Sequence, residues 1–416
     1  MSYLYFFIFI FIIYHFCRDF KHTLIVYAPF KLIFHSGIFL IDSSFSLNFD
    51  LVISFVVFIL FLTKRKRNTY LNKVPTLLIV GWSGYLIGLL IHSLRPSIKP
   101  TLFLQEGVTT FLYCYILFKT ITREDDIKTL VKGFMIVSIV LFVDATIDVL
   151  TGINIIARIE ESQAGTRFWH SENVIARAGM ARSTSFMPHS LTMGSLAALL
   201  WGFIYLMTAR WNIKVNKKLF YITLACLTIC VVYSNSRSSL IAFIILLPIL
   251  IDLKSISPAR TFLILTGFIL LIYVFYDYFS WMYDSIANEN KMNVQGSTSE
   301  LRETQFEVAL YYMQKNPFWG NGNTFQILNF EDKSSIMGME SVWFPIMMQQ
   351  GVVGLVTYIF LLATTIFFYI KNRMKIQVFY VMSWIAIITL SSQIGLSLYL
   401  FVLLPLMSYK AKQLKK

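Results

Sequence analysis

Charge is scarce in this chain: 14% of its 416 residues are Asp, Glu, Lys or Arg, against 56% hydrophobic, and the mean hydropathy is +0.65. So little charge excludes an ordinary water-soluble globule and points to lipid as the surroundings. Acidic residues are the scarcest, 22 against 36 Lys and Arg, for a net charge of +14. The basic residues sit in short breaks between apolar runs rather than on one face, so we expect membrane orientation and no nucleic acid. The four cysteines, Cys17, Cys114, Cys226 and Cys230, lie inside apolar stretches and form no CxxC pair, which argues against a disulfide framework or a thiolate metal site. The histidines, His170 and His189 among them, lack metal-ligand spacing. A P-loop is missing too, so we expect neither metal nor cofactor.

What is present is apolar length. Runs at about 2–16, 23–41, 49–63, 76–94, 100–118, 129–150, 189–208, 219–235, 238–251, 261–280, 343–370 and 377–409, the last long enough for two spans and interrupted by Ser391-Ser392-Gln393, predict about 12 transmembrane helices, 12 or 13 by count, at about 20 residues per crossing. They are continuous rather than alternating, so the fold class is all-α and polytopic, not a barrel. Lys31 and His35 interrupt the second run, where a short or re-entrant segment would replace a span. Met1 to Phe16 lacks a basic leader and a cleavage site and is expected to stay as a membrane helix.

Basic loops at 64–73, 119–132, 210–218, 254–260 and 371–375, with the tail from Lys410, are always separated by an even number of spans, so one assignment makes all of them cytoplasmic. Residues 1–416 then form a single membrane domain with two long extracytoplasmic segments, 151–188 and a large loop, 282–341. These are the polar stretches long enough to build a site over a rigid scaffold.

The segment 151–188 holds Arg158, Arg167, Arg177 and Arg182 and no lysine. Arginine forks onto phosphate and carboxylate oxygens where lysine offers a point charge. The plainer expectation for the first three is pairing with Glu160, Glu161 and Glu172 on a solvated face. Arg182 differs, because Arg182-Ser-Thr-Ser-Phe-Met-Pro188 runs straight into an apolar helix. Arg237 is the single charge between Leu219 and Ile251, set in a Tyr233-Ser-Asn-Ser-Arg-Ser-Ser239 hairpin. A charge there is costly and functional by default, the plainer alternative being snorkelling to lipid phosphates. Asn235, Ser236 and Ser238 add donors suited to an anionic group. The large loop contains Arg302, the turn Asn316-Pro-Phe-Trp-Gly-Asn-Gly322 and Glu340, a carboxylate expected at the outer mouth of the next span as a base or as a helix-start charge. Asp144 and Asp148 share a helix face and are expected to line the pocket or pair with outer arginines, while Glu106, Arg95 and Lys99 neutralise one another. His189 is an accessory candidate.

Arg182 with Ser185-Phe-Met-Pro188, Ser236-Arg237-Ser238, Arg302 ahead of Asn316-Pro-Phe-Trp-Gly-Asn-Gly322, and Glu340-Ser341 before Gly351-Val-Val-Gly354 together resemble the O-antigen polymerase and O-antigen ligase superfamily, over roughly residues 175–360. The resemblance implies a metal-independent glycosyltransferase of the bacterial inner membrane, working on its extracytoplasmic face. An undecaprenyl-diphosphate-linked oligosaccharide would be donor and acceptor, with membrane lipid around it and a chain-length regulator and flippase as pathway partners. It implies Arg182 and Arg237 as a diphosphate clamp, with Arg177, Arg302, Ser236, Ser238, Asn235 and His189 around the substrate. Ligases carry a histidine near the end of the large loop; from Ser299 to Ser341 there is none, and Glu340 takes that place as the expected base, which favours a polymerase. A ligase or protein oligosaccharyltransferase is the first rival. A lipid-linked sugar flippase is the second, disfavoured by charges at the boundary rather than at mid-membrane.

Overall fold

The computed structural model describes residues 3–33, 39–41, 47–64, 73–93, 101–152, 182–187, 189–250, 299–322, 341–391 and 395–415. In chain order the elements are α1 (Tyr3–Arg18), α2 (Phe20–Phe30), β1 (Phe39–Ile41), β2 (Leu47–Asn48), α3 (Phe49–Thr63), α4 (Thr76–Ser93), α5 (Thr101–Glu106), α6 (Tyr113–Thr120), α7 (Glu124–Thr151), α8 (Ser190–Tyr205), α9 (Lys217–Tyr233), α10 (Arg237–Leu246), α11 (Ser299–Lys315), α12 (Trp343–Lys371), α13 (Val378–Leu390) and α14 (Gly395–Leu414). One short antiparallel pair aside, in which Phe39 faces Asn48, the described chain is helical. Apolar backbone in lipid has no water to bond, so each run closes its hydrogen bonds internally.

Among the described residues three helices are long and apolar enough to cross a membrane: Glu124–Thr151, Ser190–Arg210 and Trp343–Lys371. Shorter apolar helices include Phe49–Thr63 and Lys375–Leu390. The run expected at 261–280 and most of the two long segments expected on the extracytoplasmic side lie outside the described residues. The second run is cut short: α2 ends at Phe30, and Lys31 is buried in an ion pair with Asp50 at the start of α3, its Nζ also facing the Tyr113 ring at 4.8 Å. Partnering in this way is what allows a charge inside a lipid-embedded bundle.

Two features of packing position the site. Gly81, Gly84 and Gly88 of α4 lie directly under Thr364, Phe360 and Thr357 of α12; a Cβ on any of them would come within 2.1–2.8 Å of those side chains. Small residues at this spacing let two helices approach closely without a hydrophobic drive. The second feature is an antiparallel pairing of α10 and α13. The Ser383 hydroxyl donates to the Ala242 carbonyl at 2.8 Å, and the Tyr380 ring and Leu246 both sit against Gly202 of α8. The start of α10 therefore lies level with the end of α13. About 24 Å of helix separates Gly194, which meets the α9–α10 hairpin, from Arg210 at the basic end of the bundle.

Candidate functional site

The hairpin between α9 and α10 is a tight reversal, Ser234-Asn235-Ser236, in which Asn235 takes a positive φ of 45° and Ser236 is the N-cap of α10. Asn tolerates the left-handed region because its short polar side chain bonds locally. The Ser236 and Ser238 hydroxyls lie 3.0 Å apart, and Ser234 and Ser239 straddle Gly194, where a Cβ would fall 2.3 and 2.5 Å from their oxygens. Arg237 is the first residue of α10, half-buried.

Arg182 arrives at this hairpin from 52 residues away in sequence. Its Nε donates to the Ser234 carbonyl at 3.4 Å, and the next amide, Ser183 N, donates to the Tyr233 carbonyl at 3.0 Å. The 182–185 segment is held from below by two carboxylates of α7. Asp148 Oδ2 accepts from the Ser183 hydroxyl at 2.8 Å and from the Thr184 and Ser185 amides at 3.0 and 3.4 Å, while Asp144 Oδ2 accepts from the Ser185 hydroxyl at 2.8 Å. This corrects the expected pocket-lining or arginine-pairing role: both carboxylates are buried anchors for backbone and hydroxyl donors. Ser185, with φ of 48°, is held in a left-handed conformation that this network imposes. Asp148→Ala leaves three donors without their shared acceptor. We expect the 182–185 segment to loosen and polysaccharide output to fall by about tenfold or more with the protein still inserted, read by glycan gels against membrane immunoblots.

The other side of the site comes from α12, which is not one straight span. At Gly351, with φ 63° and ψ −153°, it breaks sharply. Trp343 and Tyr358 would stand about 22 Å apart on a straight helix, yet their rings stack edge to face at 5.5 Å. Residues 343–350 thus fold back alongside 352–371. The fold-back carries the end of the large loop down to α13: Val342 N donates to the Ile388 carbonyl at 2.9 Å, and Trp343 Nε1 donates to Thr389 at 3.0 Å. Because Ile388 lies level with the start of α10, the buried Ser341 and Val342 come to the same level of the bundle as Arg237.

α11 runs beside this arm, Phe306 against Phe344 at 6.2 Å and Ala309 clustered with Met347 and Met348. Arg302, half-buried and one turn ahead of Phe306, falls toward the Ser341 end. The Asn316–Gly322 turn then caps the break. A continuous helix would pair Val352 N with Met348 O and Val353 N with Gln349 O. Here Val352 N and Val353 N donate to Pro317 O and Phe318 O at 2.8 and 3.1 Å, and Met348 O and Gln349 O accept from Asn321 N and Gly322 N at 2.8 and 3.0 Å.

The structure thus brings Arg182, Asn235, Ser236, Arg237, Ser238, Ser341 and the α11 end bearing Arg302 to one end of the bundle. His189 caps α8, its Nδ1 accepting from Leu191 N at 3.1 Å with the residue exposed, a structural job that its sequence position did not announce. Glu106 is not balanced by a neighbouring cation among the described residues; it accepts the Tyr85 hydroxyl at 2.6 Å. Glu340, Arg177, Arg95 and Lys99 lie outside the described residues. No group of His, Cys, Asp and Glu able to hold a metal occurs among the described residues.

A family model fits the same region. Residues 222–359 match the model described as O-antigen ligase, Wzy_C. That match supports the O-antigen ligase and polymerase superfamily. It covers about a third of the chain and takes in the Arg237 hairpin, α11, the capping turn and the Gly351 break, while Arg182 and its α7 anchors precede it. It supports an O-antigen ligase-family function in surface polysaccharide synthesis for this apolar helical chain. No curated protein matches the chain.

Proposed function

We propose that the protein is a repeat-unit polymerase that transfers a glycan from its polyprenyl-diphosphate carrier to a second lipid-linked repeat unit on the extracytoplasmic face. The observation that carries this reading is the meeting of Arg182 with the Arg237 hairpin, at a level shared with Ser341. An acceptor hydroxyl attacks the anomeric carbon, the bond from that carbon to the carrier diphosphate breaks, and the electron pair leaves on the diphosphate. Two guanidiniums and the α10 N-terminus, with its serine hydroxyls, favour the charge that grows there. The hydroxyl proton passes to a base, for which Glu340, next to Ser341, is the candidate. The absence of histidine from Ser299 to Ser341 supports polymerase over ligase.

The family description favours the second reading, a ligase that passes finished glycan to another acceptor. A strain lacking the protein separates the two. Only single repeats on the gel are the expected result; full-length polymer accumulating on its lipid carrier would replace polymerase with ligase.

A further inference from the structure

At the opposite end of the bundle, one buried lysine differs from its neighbours. Lys412 Nζ donates to the Asn372 carbonyl at 2.6 Å, Lys415 Nζ to the Trp211 carbonyl, and Lys21 Nζ to Asp126 at 2.7 Å and Thr122 at 2.9 Å. Lys410, in the last turns of α14, is fully buried, and its Nζ has no hydrogen-bond acceptor among the described residues. The ammonium rests over the Phe118 ring at 4.5 Å. The charges acting on it are Lys119, Lys21 and Asp126. Asp126 is already committed, since its Oδ2 takes Lys21 Nζ together with the Thr122 and Arg123 amides at 2.8 and 2.9 Å. Lys410 therefore lies in this seam of α6, α7 and α14 beside the Lys119 ammonium, with no acceptor for its own Nζ among the described residues. One turn on, the buried Gln413 Oε1 likewise has no donor.

An ammonium taken from water without an acceptor costs several kcal/mol, and a ring face returns only part of that. A structure that keeps one there is built to receive an anion. We propose that this seam is a binding site for a phosphate-bearing anion, with Lys410 as its buried donor and Lys119 and Lys21 as its charged rim. Its source is an anionic phospholipid headgroup of the adjacent leaflet or free phosphate. The site stands apart from the arginine hairpin and does not depend on the proposed transfer reaction.

The test is thermal unfolding of the full chain in phosphatidylcholine nanodiscs, in phosphatidylcholine with phosphatidylglycerol, and in phosphatidylcholine with inorganic phosphate at ionic strength matched by chloride. A rise in Tm of roughly 5 °C at saturation is expected in one of the two anionic conditions. A rise with the lipid identifies a headgroup; a rise with phosphate alone identifies the free ion. Lys410→Met is expected to lose the rise while matching or exceeding wild type in pure phosphatidylcholine, and Lys410→Arg to keep it. An unchanged wild-type Tm in both anionic conditions, or an equal rise in Lys410→Met, overturns the site. Should Lys410→Met not fold, Lys119→Gln must reduce the rise, and an unaltered rise in that variant is equally fatal.

Discussion

Arg237→Ala abolishes long polysaccharide chains while the protein remains in the membrane at wild-type level. The residue sits at the first position of α10, beside the Ser236 and Ser238 hydroxyls and at the level of Ser341. Its neighbours in the hairpin are fixed by their own backbone bonds to Cys230 and Val232, so truncating the guanidinium leaves the reversal intact. What goes is positive charge at the leaving diphosphate, and removal of one preorganised donor at a developing anion lowers the rate by about 100-fold to 1000-fold. A loss of that size leaves single repeats on a glycan ladder. Arg237→Lys restores charge without the planar fork and is expected to give shortened chains at low yield. Arg182→Ala removes the second guanidinium and the bond to the Ser234 carbonyl at once, so its defect should match or exceed that of Arg237→Ala. Complementation of a null strain at matched expression measures all three, and normal chain lengths from Arg237→Ala and Arg182→Ala together would falsify the clamp.

The sequence is most informative where chemistry is local. A lone charge between apolar runs marks Arg237, and a polar stretch entering an apolar helix marks Arg182; the structure then joins them through Ser183 and Tyr233, a pairing that no local pattern encodes. Asp148 was visible as an acidic residue on an apolar helix, but its partners are two amides and a hydroxyl, and backbone donors leave no mark in composition. The break in α12 was hidden for a similar reason. Residues 343–350 carry no charge and run on into the strongly apolar 352–370, so a reversal reads as one long span. Two clues were available in hindsight: a run longer than one crossing needs, and a Gly-Asn-Gly turn elsewhere, able to offer amides to a broken helix.

That break underlies the second large effect. Gly351→Ala should dislodge the 343–350 arm and eliminate polymer formation. Its φ of 63° with ψ of −153° is a region that only glycine occupies without strain, and an added Cβ would stand 2.5 Å from the Pro317 carbonyl and 2.7 Å from Gly320 N. Neither neighbour is a flexible side chain. Gly320, at φ 66°, is placed the same way, since an added Cβ would fall 2.3 Å from the Gln349 backbone, so the two glycines form one backbone-on-backbone crossing. The variant has two ways to relieve the clash. It expels the turn, leaving the Val352 and Val353 amides and the Met348 and Gln349 carbonyls unpaired, or it straightens α12 and lifts Val342 from Ile388. Either route costs about 2–4 kcal/mol in strain and lost hydrogen bonds, and both separate Ser341 from the Arg237 level. Tryptic cleavage after Lys315, which packs on Tyr311 and Tyr312 beside the turn, should speed up several-fold, and Tm should fall. Gly107→Ala is the matched control, because its Cβ meets only Leu86 at an ordinary 3.6 Å. Wild-type protease resistance and chain length in Gly351→Ala would mean that the arm is held by its side chains, Trp343 on Tyr358 and Thr389, rather than by the glycine crossing.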